Sequence, residues 1–292
     1  MINDILLPGL VFGSLYGLVA VGLNVLYRPT HVLNFAQGDL IMLGAMFMAV
    51  ISVGTALPWP LAAIAVAVTV ATVALIEERV AVAPVLRRAV HGVGWVITTL
   101  AFSLILNQLV GKLWTDQPRM VAPPGPLSLR THTVAGVQFS SYQLAVILAA
   151  LGVVIALELH SRTRTGCAIR AVAADRDAAR LRGIDPDRLS RRAFLLGGAL
   201  AGLTGVLAAP LILASVTMGF GLLVKGFFAA VVGGIGDYRG ALLAGWIVGL
   251  IEAAGASYVS PGAQTAVLFA VTLVILMIRP AGLRQSGVLH RV

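Results

Sequence analysis

Nine apolar blocks constrain this chain more than any other feature. They fall at about residues 5–27, 34–53, 57–76, 93–110, 139–159, 191–214, 220–236, 240–258 and 263–278. Most approach the ~20 residues an α-helix needs to span hydrocarbon; the seventh and ninth are short. Only helices and closed barrels satisfy every backbone polar group inside a bilayer, and runs of this length select the helix. With 59% hydrophobic and 11% charged residues, one or two soluble domains are excluded. The pattern predicts an all-α polytopic membrane protein, a single domain over 1–292 built as a bundle of about 8–9 transmembrane helices.

Close helix packing is written into the small residues. Gly9, Gly13 and Gly17 recur every fourth position, as do Gly197, Ala201 and Gly205, and again Gly245 and Gly249. Such stripes let helix backbones approach in lipid. Two blocks carry interruptions. One lies at Arg28-Pro29-Thr30-His31 and Asn34-Phe35-Ala36-Gln37-Gly38-Asp39, the other at Gly233-Gly234-Ile235-Gly236-Asp237. Polar residues and paired glycines there predict broken or re-entrant segments, tolerable only where buried in protein or lining a cavity. Their corresponding places in the two halves suggest an internal repeat. The N-terminal Met1-Ile2-Asn3-Asp4 lacks a basic n-region, so the first block is expected to be retained.

The one long charged segment, 160–192, holds nine of the 21 basic residues and four of the 12 acidic ones. Ile169, Val172 and Ala173 recur at helical spacing, with Arg170, Asp175, Arg176, Asp177 and Arg180 around the rest of the barrel. Gly183 is placed to close that helix in a left-handed conformation, and Asp185-Pro186 to start the next. Two readings stand: a solvated loop whose arginines fix topology, or a docking element for a soluble partner. If every block spans and this loop is cytoplasmic, 17 of the 21 Lys and Arg fall inside, among them Arg279, Arg284 and Arg291. The N-terminus is then outside, the C-terminus inside, and the proline-rich 114–138 loop an irregular external cap. The net charge of +9 is thus topological and implies a lipid bilayer, with no nucleic acid as partner. The lone Cys167 lies in the charged loop and forms no internal disulfide.

Polar residues at membrane depth mark candidate sites, because charge in hydrocarbon costs a few kcal/mol even on permissive scales. Asp39, Lys225 and Glu252 are the main cases, with Asn34 and Gln37 as polar companions along a substrate pathway. The alternative is that they satisfy one another or carbonyls freed at helix breaks. His31, just after Pro29, reads as an interfacial hydrogen-bonding residue. The chain shows no phosphate-cradling loop, since Gly111-Lys112 lacks the upstream glycine. No Cys/His cluster suggests a metal. Asp175-x-Asp177 and Asp185-x-Asp187 lie among arginines and do not suit a magnesium-diphosphate site. No catalytic residue and no cofactor is expected in this chain.

Gly13-Ser14-Leu15-Tyr16-Gly17-Leu18, Asn34-Phe35-Ala36-Gln37-Gly38-Asp39-Leu40 and Leu43-Gly44-Ala45 together resemble the opening of permease subunits of branched-chain amino acid ABC transporters. Arg170-Ala171-Val172-Ala173-Ala174-Asp175 and Ala178 through Asp185 resemble that family's ATPase-contacting loop. Lys225-Gly226-Phe227, Gly233 through Gly236 and Gly240-Ala241 resemble its third signature. The similarity covers nearly the whole chain. It implies a cell (inner or plasma) membrane permease that moves branched-chain amino acids or related solutes inward by alternating access. It implies docking of ATP-binding cassette subunits through Arg170, Ala173, Ala174, Asp175, Arg176, Arg180 and Gly183. It also implies a similar or identical second permease subunit and an external substrate-binding protein. Urea, amides and aromatic acids stay open as solutes, since Arg28-Pro29 and Tyr238-Arg239 depart from the family's smaller or less charged residues. An ion- or proton-coupled secondary transporter, with Asp39, Lys225 and Glu252 as coupling groups, is the alternative.

Overall fold

In the computed structural model every apolar block contains a helix. The structure describes residues 2–54, 57–88, 94–114, 117–125, 127, 129–134, 137–259, 262 and 264–278. Met1, Pro126, Arg279, Arg284 and Arg291, used in the sequence reading, lie outside the described residues. In chain order the helices are α1 (Ile2–Thr30), α2 (Gln37–Gly54), α3 (Trp59–Glu77), α4 (Ala83–Arg88), α5 (Gly94–Trp114), α6 (Ser141–Ser161), α7 (Arg164–Ala174), α8 (Arg176–Leu181), α9 (Pro186–Ile212), α10 (Met218–Gly233), α11 (Tyr238–Tyr258) and α12 (Gln264–Ile278). Among the described residues, seven helical stretches are long and apolar enough to cross a membrane, and two apolar helices are shorter. Those two begin at Met218 and Gln264 and overlap the seventh and ninth blocks. Large apolar side chains stand outward, including Ile64 at 58%, Val68 at 61% and Leu104 at 67% exposure. Surface of this kind is matched by lipid tails. The protein is an all-α, multi-pass membrane protein.

Both interruptions appear. After α1, His31 takes φ 56°, and residues 31–36 are non-helical before α2 begins at Gln37. After α10, Gly234 and Gly236 take φ 100° and 91°, conformations that need glycine, and Asp237 caps α11. A third irregularity escaped the sequence reading. The third span does not stop at α3 but runs through a π turn, Glu78–Val82, into α4. Pro84 has no N–H to give Val80 and its ring crowds that carbonyl, so the wider turn just upstream accommodates it.

The chain divides into two compact units. In the unit comprising Val25–Ala122 and His160–Leu223, α2 and α3 pack on α9 through small residues. A Cβ on Gly44 would meet the Gly202 carbonyl at 2.7 Å, and one on Gly198 would meet Ala74 Cβ at 2.5 Å. In the unit comprising Met1–Asn24, Pro123–Leu159 and Val224–Val292, Gly9, Gly13 and Gly17 of α1 face α11. There Gly245 lies against Gly13 and Gly17, and Gly249 against Gly9 and Gly13, so two of the stripes read from sequence are each other's partners. A Cβ on Gly245 would sit 2.5 Å from the Gly17 nitrogen, where only backbone could give way. Gly245→Val should therefore destabilise the fold by about 1–3 kcal/mol, as overpacking does. A lower thermal midpoint in detergent is expected; an unchanged midpoint would show that the contact is loose.

Within the 114–138 segment, expected as an irregular cap, the described residues include strand pairing. β1 (Thr131–Val134) and β2 (Val137–Ser140) pair antiparallel, with Thr131 opposite Ser140. Thr-His-Thr-Val facing Val-Gln-Phe-Ser supplies β-branched and aromatic residues in alternation, which explains the strands despite the nearby prolines. Earlier in the segment, Arg119 and Ala214 exchange backbone hydrogen bonds at 2.8 and 2.9 Å.

Candidate transport and docking sites

The α1–α2 turn concentrates buried polar groups because its backbone leaves the helical ladder. Asn34 Oδ1 accepts from the Ala36 amide at 2.8 Å, an Asx turn that leads into α2, and its Nδ2 donates to Glu77 Oε2 at 3.0 Å. Gln37 Nε2 donates to the Gly197 carbonyl at 3.3 Å, tying the start of α2 to α9. Asp39, in the first turn of α2, accepts from Ser103 Oγ and, at 3.1 Å, from Asn107 Nδ2 on α5. Asn107 also donates to the Val216 carbonyl at 3.1 Å. The turn thus gathers Asn34, Gln37 and Asp39: Asp39 accepts from two neutral donors, while Asn34 and Gln37 donate to the Glu77 carboxyl and the Gly197 carbonyl.

Sequence reading missed the partners Glu77 and Glu78, which are 0% and 2% exposed. Glu78 Oε1 accepts from Ser190 Oγ at 3.0 Å, while Glu77 Oε1 and Glu78 Oε2 find no hydrogen-bond partner among the described residues. Glu77-Glu78-Arg79 resembles an interfacial end to the third block. The helix nevertheless runs on through the π turn, and the span reaches Leu86.

In the other unit Lys225 meets Glu252. Its Nζ lies 2.5 Å from Glu252 Oε1, donates to the Tyr16 hydroxyl at 3.3 Å and stands 5.3 Å from the Tyr16 ring centroid. The two charges satisfy one another. Carbonyls at the Gly233–Asp237 break are met instead by Asn24, whose Nδ2 reaches the Asp237 carbonyl at 3.0 Å and that of Gly234 at 3.5 Å.

The charged loop folds as helix, break, helix, break, helix. The sequence suggested one helix before Gly183; the structure divides it at Asp175, which adopts extended backbone and accepts from the Asp177 and Ala178 amides. An aspartate able to cap competes with helix continuation. Gly183 closes α8 at φ 79°, with the Ile184 amide bonded to the Ala179 carbonyl and the Gly183 amide to that of Arg180. This paired pattern is a Schellman closure. Asp185 then caps α9 through the Asp187 and Arg188 amides. Those amides, that of Arg188 foremost, hold the Asp185 carboxyl below its usual pKa, so the cap is present above the ordinary aspartate value and weakens as pH falls through the lowered one.

Val172, Ala179 and Leu189 form the buried seam of the loop, with Ile169 and Ile184 beside it. Arg176 pairs with Asp187 at 2.8 Å and Arg180 approaches the same oxygen at 3.7 Å, so these two arginines brace α8 on α9. Leu181, 91% exposed, projects at the tip beside exposed Arg182 and Gly183. Below, a cleft of about 400 Å³ runs between the α1 exit and the loop, lined by Pro29, His31, Ala173, Ala174, Asp175 and Arg180 among others. His31 stands over Tyr27 in an edge-on contact, and desolvation together with Arg176 lowers its pKa. Gly183→Val would force a β-branched residue to positive φ at about 1–2 kcal/mol. Faster amide exchange at Ile184 and Gly183's successor turn is expected, and unchanged exchange would show that the Schellman closure is dispensable.

The residue pattern agrees with comparison to known proteins. A family described as branched-chain amino acid transport system / permease component matches residues 5–277. The chain belongs to this family. It is 31% identical to the high-affinity branched-chain amino acid transport system permease protein BraD of Pseudomonas aeruginosa, covering 95% of this chain and 94% of that one. To the LivH permease protein of Escherichia coli K12 the identity is 30%, over 94% and 92% of the two chains. The probable LivH permease of Methanocaldococcus jannaschii is 28% identical, over 96% and 91%. No solved structure matches the chain. This permease is therefore a transport component, and its buried polar turn and charged loop are the parts to explain.

Proposed function

We propose that this permease is the membrane subunit of an ATP-driven importer for branched-chain amino acids or closely related small polar solutes. It lies in the inner or plasma membrane with the 160–192 loop in the cytoplasm, as the positive-inside bias favours. Separate ATP-binding cassette subunits dock on α7–α8 through Arg170, Ala173, Ala174, Asp175, Arg176, Arg180 and Gly183. A second permease subunit, similar or identical, completes the pathway, and an external binding protein delivers solute. Asn34, Gln37 and Asp39 border the route, and Lys225 and Glu252 of the other unit are a structural pair. The observation that carries this reading is the loop itself. Three caps and an apolar seam hold a helix whose tip, Leu181, stands 91% exposed, in a sequence without a phosphate-cradling motif.

Alternating access follows if ATP-driven movement of the docked subunits pushes α8, because α8 is braced on the first turn of α9. The bundle then opens to one side at a time, and energy enters at the loop. Uptake of labelled leucine into liposomes tests this. Strict dependence on added ATPase subunits and ATP is expected, whereas accumulation driven by a proton gradient alone would establish the secondary-transporter alternative.

A further inference from the structure

Glu77 and Glu78 have no part in the functions assigned above, yet among the described residues of their unit they occupy the most secluded ionisable positions. Burying a carboxylate costs several kcal/mol unless it is well paired, and an apolar pair would hold two helices at less expense. What these two residues do is connect. At the junction of α3 and the π turn, consecutive side chains reach different neighbours: Glu78 accepts from Ser190 on α9, and Glu77 accepts from Asn34 on the α1–α2 turn.

Each end of this connection leads somewhere. Ser190 follows Leu189, which lies in the apolar seam with Val172 of α7 and Ala179 of α8. Asn34 fixes the turn into α2 by accepting from Ala36, and that turn presents Gln37 and Asp39. Phe194, one helical turn beyond Ser190, shares a buried cluster with Ala81 and Val82 of the π turn and with Leu26 and Val32 beside the α1–α2 turn. Polar and apolar contacts therefore run in parallel from the docking helices to the turn.

Resting on the ATP-driven reading above, we propose that Glu77 and Glu78 are positioning residues that transmit displacement of the docking helices to the solute-facing α1–α2 turn. The buried hydrogen bond at 3.0 Å ties Ser190 on α9 to Glu78, so the two move together when α9 moves. The π turn, already widened, is the place where α3 can change register with least loss of backbone bonding. Contiguity alone does not establish coupling, so the test measures coupling itself.

The assembled complex with its ATPase and binding protein is placed in liposomes, and leucine taken up is counted per ATP hydrolysed. Ser190→Ala removes the donor, and Glu78→Asp retracts the acceptor by one methylene while keeping its charge. Both should lower the ratio at least about fivefold, the low end of an ordinary coupling free energy, with ATP hydrolysis retained. Ser190→Thr, which keeps the hydroxyl, should restore it. A merely structural role would change yield without changing the ratio. A wild-type ratio in either variant, with the ATPase bound, overturns the inference alone. Failure of the unmutated permease to bind an ATPase overturns the functional reading and takes this inference with it.

Discussion

Reversing two loop charges, Arg176→Glu with Arg180→Glu, is expected to reduce ATP-driven uptake to background while membrane insertion stays normal. Both guanidinium groups converge on Asp187 at the start of α9, at 2.8 and 3.7 Å, and Arg180 also lies 4.0 Å from Asp177. The double variant places carboxylates where these acids already stand. Ion pairs that stay in touch with water contribute little by themselves, about 0–1 kcal/mol each, and these are partly exposed, so the fold should survive. Docking should not. Opposed like charges at an interface cost several kcal/mol, and a loss of about 4 kcal/mol weakens binding roughly a thousandfold. Co-purification of the ATPase subunit measures the loss. An ATPase recovered at wild-type yield with normal uptake would remove the docking role from this loop.

The bundle was legible because its determinants are local and strong. Apolar blocks near span length leave the backbone one solution in lipid, and the glycines at 9, 13, 17, 245 and 249 announce helix faces that must approach closely. Spacing alone did not say that the α1 stripe meets the α11 stripe, because pairing is a property of the folded unit. The π turn stayed hidden for a similar reason. Pro84 reads as a helix stop from sequence, but inside a membrane stopping would strand backbone groups, so the helix widens and continues.

The site was legible in part. Gly183 and Asp185-Pro186 signal caps whose geometry depends on two or three residues, and both occur where the pattern placed them. Asp175 was taken as one charge on a helix barrel, whereas its own side chain ends α7 and starts α8. Asn34, Gln37 and Asp39 were selected by polarity within an apolar block, but their partners Glu77, Ser103 and Gly197 lie 40 or more positions away in sequence. Chain order carries no signal for such contacts. Glu77 and Glu78 were passed over because a charged pair at the edge of a block resembles a helix end facing water.

Lys225→Met should lower the stability of the permease by about 3 kcal/mol, the figure expected when one partner of a poorly hydrated ion pair is removed. Lys225 and Glu252 have side chains only 21% and 11% exposed, and Glu252 Oε2 has no hydrogen-bond partner among the described residues. Without the lysine, Glu252 keeps its charge beside the Tyr16 hydroxyl alone or leaves its place on α11. The double variant Lys225→Met with Glu252→Leu should recover most of the loss, since replacing both charges by apolar groups is often neutral. Transport separates the two mechanisms. For an importer driven at the loop, the pair is structural, and the double variant retains ATP-dependent uptake in proportion to folded protein. For a proton- or ion-coupled carrier, the titrating groups themselves are gone, and no solute moves however well the variant folds. Thermal midpoints of the single and double variants, measured beside uptake per folded molecule, distinguish these outcomes; a folded double variant that transports nothing would return Lys225 and Glu252 to the coupling role.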